Sequence, residues 1–441
     1  MRSPRSLHAP AALLCGAALL LGAACRPAAE SRPPAPIVEV TTTPDAPPAI
    51  VDRSLYGPPI AAITGPPEAR IRVVVGASTL TLSSAAALRI RGADGIEAAL
   101  RGPLKIVADG EALAIRDRRG RRTRAVAPLE VRVDDPATLS VDGRAYPGSL
   151  VLRVRGGSID AINHVDLERY LPGVLARELF PGWEPAAYQA QAIAARSYAL
   201  WEIARARDRG RDHDLEATTA SQAYGGIVDH ARAIEAVAAT RGQVLVYDDH
   251  VVPAFYSSAH GRAAQDGIVA FPGVAPDIAP LRGGARGAWE AESPHGSWGP
   301  IVHERAVLAQ RLAAWGRSRG DPIAELTAIA GVSVSRRSAA GRPAEFTIVD
   351  GEGRRFTLAP ESFRHACNFD APGLPRAPRL KSSDVEVEVA ASTVTMQNGS
   401  GFGHGVGLSQ WGAHGMAAAG RAAAEILAIY YPEAEVLTLY P

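Results

Sequence analysis

Chemistry in this sequence points first to a carboxylate on the apolar stripe of a helix. Leu171, Val174, Leu175 and Glu178 stand at i, i+3, i+4 and i+7, so one helix face would carry all four. An ionised carboxylate on a buried stripe costs several kcal/mol unless it is paired. The protein then either pairs it or lets its pKa rise, and a raised pKa suits a general acid near neutral pH. The alternative is a frayed helix end that leaves Glu178 solvated or bridged to Arg177.

Other groups are weaker pointers. Arg196 shares a face with Gln189, Ile193 and Leu200, where an arginine snorkels or pairs a carboxylate. Pairing with Glu178 would lower that carboxylate's pKa, the wrong direction for an acid. By spacing, Tyr198 reads as core. Ser221-Gln222-Ala223-Tyr224-Gly225-Gly226 reads as a loop with a polar, aromatic rim of the kind on which sugars stack. The string Gly401-Phe402-Gly403-His404-Gly405-Val406-Gly407-Leu408-Ser409-Gln410-Trp411-Gly412 permits positive φ or close backbone approach. It lacks the lysine and spacing of a phosphate loop. It reads either as a sugar-binding cleft wall or as a tight buried loop with a satisfied histidine. His365 and Cys367 form an H-x-C pair, and His260, His295 and His414 are scattered, with no zinc spacing among them. No nucleophile-elbow signature accompanies any serine, and none supports Cys367.

These groups need elements to position them. Asp166 can cap a helix opening at Leu167, with Pro172 and Gly173 bending it and Pro181-Gly182 stopping it. Pro185 opens a second helix that runs unbroken to Arg207. Before them, short Val-, Ile- and Leu-rich runs (71–75, 88–90, 104–107, 129–133 and 150–154) predict an antiparallel β-region. After them come predicted strands at 244–247, 251–256, 325–334, 345–349 and 385–394. Further helices are predicted at 304–315 and 422–430. The mixture is α+β.

The chain has 441 residues, 47% of them hydrophobic, and a net charge of +1, so no global field favours nucleic acid. Only Lys105 and Lys381 are lysines; the many arginines read as compositional bias. Three cysteines exclude a disulfide-stapled scaffold. Residues 1–25 read as an export signal: Arg2 and Arg5, then an apolar run over 11–21, then small residues. Cys25 stands where a lipoprotein signal places its acylated cysteine, or is incidental to a plain secretory signal. Either way the protein is expected to be exported to the cell envelope, with a membrane contact through lipid in the first case. Residues 26–68 read as a proline-rich linker, 69–160 as the β-rich region and 161–441 as a body of helices and sheet.

Several of these stretches resemble one family. Tyr170–Leu179 is similar to the Y-L-x-G-V-x-x-x-E-M segment of the SpoIID/LytB family (stage II sporulation protein D), and Ala190–Leu200 to its A-Q-A-V-A-A-R-[ST]-Y-A-L helix. Ser221–Gly226 resembles its S-Q-x-Y-x-G turn, and Gly403–Ala413 its G-H-G-V-G-M-S-Q-x-G-A signature. Ile426-Leu427 and Tyr430-Tyr431-Pro432 resemble its closing I-L-x-x-Y-Y-P. The matches keep the family's order from Asn163 to Pro432.

The resemblance implies a SpoIID-like fold and an envelope protein acting on peptidoglycan glycan strands. In that family it points either to a lytic transglycosylase or to a non-catalytic protein that activates a cell-wall amidase. It makes Glu178 the catalytic acid/base and Arg196 essential to activity. Tyr198, Ser221, Gln222, Tyr224, His404, Ser409 and Gln410 are then expected to bind substrate. One departure stands out: where the family has Y-H-S-[ST]-S-G-G, this chain has Tyr256-Ser257-Ser258-Ala259-His260-Gly261-Arg262. Ser257 replaces the histidine near which some members hold zinc, so neither metal nor cofactor is expected. An ordinary glycosidase would need a second carboxylate, for which Glu168, Glu184 and Glu202 are the candidates. Residues 403–410 are expected to fold back beside Glu178 and Arg196.

Overall fold

The computed structural model describes residues 53–134 and 136–441. The export signal, Cys25 and most of the proline-rich stretch lie outside the described residues. From Arg53 onward that stretch lies against the body: Gly57 donates to the Val251 carbonyl, and the Trp201 indole donates to the Leu55 carbonyl.

The β-rich region is two sheets face to face. One runs, edge to edge, through strands 215–216, 68–77, 158–166, 149–155, 129–132, 87–91 and 97–101; the other through 144–146, 139–141, 79–83, 104–109, 112–116 and 122–126. Alternation sets the packing: in Ala87–Arg91 and Leu104–Asp109, leucine and isoleucine face inward while arginine or lysine faces out. Leu80, Leu82, Leu104 and Ile106 meet Ile71, Leu88, Leu129 and Leu150 in a single core.

That core continues into the helices. Among the described residues there are eight α-helices: α1 (Leu167–Glu178), α2 (Pro185–Asp208), α3 (Ala231–Ala239), α4 (Gly267–Ala270), α5 (Arg305–Arg319), α6 (Pro360–Cys367), α7 (Gln410–Ala418) and α8 (Ala423–Tyr430). Leu171, Val174 and Leu175 of α1 pack with the sandwich, so the strand Ser158–Asp166 joins the β-rich region to the helical body without a break. α2 is buried on both sides: Tyr188, Ala192 and Leu200 face the first core, while Ile193, Ala194 and Trp201 face a second core shared with α7 and α8. A helix buried all round must be apolar or small on every face, hence its alanines. A third core lies under α5 and α6. The result is α+β, as expected. No described helix is long and apolar enough to cross a membrane.

Three predicted elements differ. The run 385–394 is a hairpin, Glu386–Val389 and Thr393–Gln397, turned at Ala390, whose N–H bonds the Thr393 carbonyl. No glycine or proline marks that turn. The run 251–256 splits around Pro253, which has no N–H to give a ladder. Gln410-Trp411-Gly412, read as the end of the glycine-rich loop, instead open α7. Its glycines are there for close approach: a Cβ on Gly412 would lie 1.7 Å from the Tyr430 hydroxyl.

Candidate active site

Glu178 is the last residue of α1. Asp166 caps the helix, its side chain accepting from the N–H groups of Glu168 (2.8 Å) and Arg169 (3.4 Å). The helix runs through Pro172 and Gly173. Glycine at 173 lets a turn cross α1: a Cβ there would come within 2.3 Å of the Gly226 carbonyl, and Gly225 N–H donates to the Gly173 carbonyl at 3.0 Å. That crossing brings the Ala223 N–H to Glu178 Oε1 at 3.0 Å.

The other oxygen is held from the far end of the chain. Gln410 Nε2 donates to Glu178 Oε2 at 3.1 Å. Gln410 opens α7, which Ser409 caps by accepting from Gly412 N–H at 3.1 Å. The short strand Leu408–Ser409 runs parallel to Tyr256–Ser257. Gly407 makes this approach possible: its φ is +69°, and a Cβ would meet the Phe255 carbonyl oxygen at 2.0 Å.

Burial raises the Glu178 pKa above the ordinary carboxylate value, against the lowering pull of the Gln410 and Ala223 bonds. Those donors are an amide and a backbone N–H, neither of them charged. They orient the carboxyl group and leave its proton available. Tyr170 and Tyr256 lie near enough for the Glu178 charge to add to the upward push of burial on their own hydroxyls.

Arg196, expected to be essential to activity, makes its hydrogen bonds to Glu168 and not to Glu178. It is fully buried, with Nε and Nη2 donating to the two oxygens of Glu168 at 2.7 and 2.8 Å and Nη1 to the Gln243 carbonyl at 3.0 Å. Tyr440 donates to the same Glu168 at 2.7 Å. Burial pushes the Glu168 pKa up, and Arg196 and Tyr440 more than reverse it. This buried pair joins α1 and α2 to Tyr440, just past the last strand; it offers no atom to a substrate.

Three residues expected to contact substrate are buried and bonded within the protein. Gln222 is fully buried, donating to the Ala195 carbonyl at 3.1 Å and accepting from Tyr170 at 3.2 Å. Tyr224 is buried against Tyr170 and Tyr146, its hydroxyl on Asn163 Oδ1 at 3.1 Å. Ser409 is the buried cap of α7. They set the turn and the helix that deliver Ala223 and Gln410.

Tyr198, Ser221 and His404 do reach a cavity. All three line a groove of about 640 Å³ together with Tyr256, Glu202, Arg205 and Glu361. His404 Nδ1 accepts from Val406 N–H at 3.0 Å, and its ring meets Phe255 and Phe271 edge-on. Burial drops its pKa to about 4, so the imidazole is neutral near neutral pH. Within residues 403–410, Gln410 and not His404 is the one hydrogen-bonded to Glu178. The signal missed in the sequence was the Ala223 N–H, since no residue type reveals a backbone donor.

Among the described residues, no three His, Cys, Asp or Glu side chains group to hold a metal ion. Ser257 Oγ accepts from Gly405 N–H at 3.2 Å. His260 is buried, its protonation opposed by burial and then by Arg342. Cys367 is a buried free thiol whose pKa burial drives far up, the reverse of what a nucleophile needs.

In sequence, the chain is similar to several known proteins. The family model described as stage II sporulation protein, SpoIID, matches residues 155–247, which include Glu178, Arg196 and the 221–226 turn. These matches support the SpoIID/LytB family for this chain. An uncharacterized protein of Brachyspira hyodysenteriae is 27% identical over 303 residues, covering 68% of this chain and 74% of that one. Stage II sporulation protein D of Bacillus amyloliquefaciens is 24% identical over 293 residues, 63% of this chain and 75% of its own. The amidase enhancer of Bacillus subtilis is 24% identical over 293 residues, 59% of this chain but 39% of its own length. Gln410 lies beyond the SpoIID match, and folding brings it to the Glu178 carboxyl group.

Proposed function

We propose that this protein acts outside the cytoplasm on the bacterial cell wall, cutting peptidoglycan glycan strands as a lytic transglycosylase. The observation that carries this reading is a desolvated carboxyl group, Glu178, held at both oxygens by uncharged donors. Protonated Glu178 gives its proton to the glycosidic oxygen as the bond to the anomeric carbon breaks. The resulting carboxylate takes the proton of the muramic 6-hydroxyl as that oxygen closes on the anomeric carbon. One group serves as acid and then as base, leaving a 1,6-anhydro end and a protonated enzyme.

A hydrolase would need a second free carboxylate. Glu168 is tied to Arg196, and Glu184 bonds His414. Glu202 lines the groove, paired with Arg205 at 3.0 Å, and is the carboxylate a hydrolytic route would draw on. The similarity to an amidase enhancer favours a second reading, in which the protein binds glycan without cutting it and a wall amidase is the partner.

The acid reading fixes a pH dependence. The active form is protonated, so turnover should fall as pH rises through the Glu178 pKa, and that limb should lie above the ordinary carboxylate range. Rates on strands stripped of peptide, measured across pH, test it. A limb at the ordinary carboxylate value would show that Glu178 is solvated and is not the acid.

A further inference from the structure

We propose that Phe180 and Trp411 form a stacking platform for a pyranose ring of the glycan strand, adjoining the Glu178 carboxyl group. The proposal rests on the reading of Glu178 as the reacting acid. Two separate segments converge on Glu178, and each carries an aromatic ring just beside it. Phe180 follows Glu178 by two residues, which limits their Cα separation to roughly 7 Å. Trp411 follows Gln410, whose amide bonds the carboxyl group. The two rings lie 5.6 Å apart, and Trp183 closes the triangle at 5.3 Å from Phe180 and 5.1 Å from Trp411.

The pile is rigid from behind and open in front. Trp183 is buried and stacks flat on His414, at 4.7 Å and 4°. His414 is in turn held by Glu184 at 2.8 Å and Glu292 at 3.3 Å. Phe180, by contrast, is 56% exposed. An open phenyl ring contributes little to folding, but it offers an apolar face to the C–H side of a sugar. The occupant is a glycan ring because the platform adjoins a group suited to glycosidic chemistry and is made of aromatics, which stack on pyranoses.

The test uses Glu178→Gln protein, so that ligand is not consumed, and titrates it calorimetrically with stripped glycan strands. Adding Phe180→Ala should raise Kd about 10-fold, on the scale of a lost aromatic contact. Phe180→Trp should restore affinity, and the melting temperature should not move. Equal affinity with and without the Phe180 ring would overturn the platform, as would no binding by Glu178→Gln itself. If Glu178→Gln keeps its turnover while Phe180→Ala still weakens binding, the acid assignment fails and the platform stands.

Discussion

Glu178→Gln is expected to lower turnover on stripped glycan strands by at least about 10²-fold, the scale for losing a positioned acid. Stability should barely change. The amide keeps the shape and can still accept from Ala223 N–H, while Gln410 can turn its own amide to offer oxygen instead of N–H. Linkage gives the same sign. With its pKa raised in the fold, Glu178 favours the native state when protonated, and that contribution is lost as pH rises through the raised pKa. Removing the charge therefore costs nothing near neutral pH. Initial rates and melting curves on the one variant separate chemistry from folding. A variant that keeps most of its activity would place the acid elsewhere.

Arg196→Met should do the reverse. It strands a buried carboxylate, Glu168, with only the Tyr440 hydroxyl and backbone to answer it. Breaking a buried pair this way costs about 3–5 kcal/mol. Specific activity of the protein that remains folded should survive, because Arg196 touches no cleft. In the wild type the pair depresses the Glu168 pKa, so its stabilisation is full above the ordinary carboxylate value and fades as pH falls below it. The deficit of the variant should accordingly be largest near pH 7 and shrink in acid, and Glu168→Gln beside Arg196→Met should recover part of it. Denaturant unfolding at both pH values measures this. Intact stability with lost turnover would return Arg196 to the chemistry.

The two residues show what could be read before the fold was known. Glu178 was legible because helical spacing alone places it with Leu171, Val174 and Leu175, and the fold buries that face. Arg196 resisted because its partner, Glu168, lies one helix earlier on a face whose direction depends on how α1 and α2 cross. Gln222, Tyr224 and Ser409 look like sugar ligands by type, yet their hydrogen bonds are spent inside the protein, and only tertiary contacts reveal that. α7 was hidden by its own glycines, which weaken a helix locally while admitting the Tyr430 hydroxyl and the Trp289 carbonyl. The meeting of Gln410 with Glu178 depends on a parallel two-strand contact and a positive-φ glycine, neither of which leaves a periodic trace.

The measurement that reaches furthest is mass spectrometry of the products released from stripped glycan strands by the purified protein. Cleavage by Glu178 acting as acid and then base predicts 1,6-anhydro muramic ends, with no incorporation of oxygen from labelled water. Reducing ends carrying the label would contradict it and point to hydrolysis with Glu202, and strands returned uncut would leave a glycan-binding partner of an amidase.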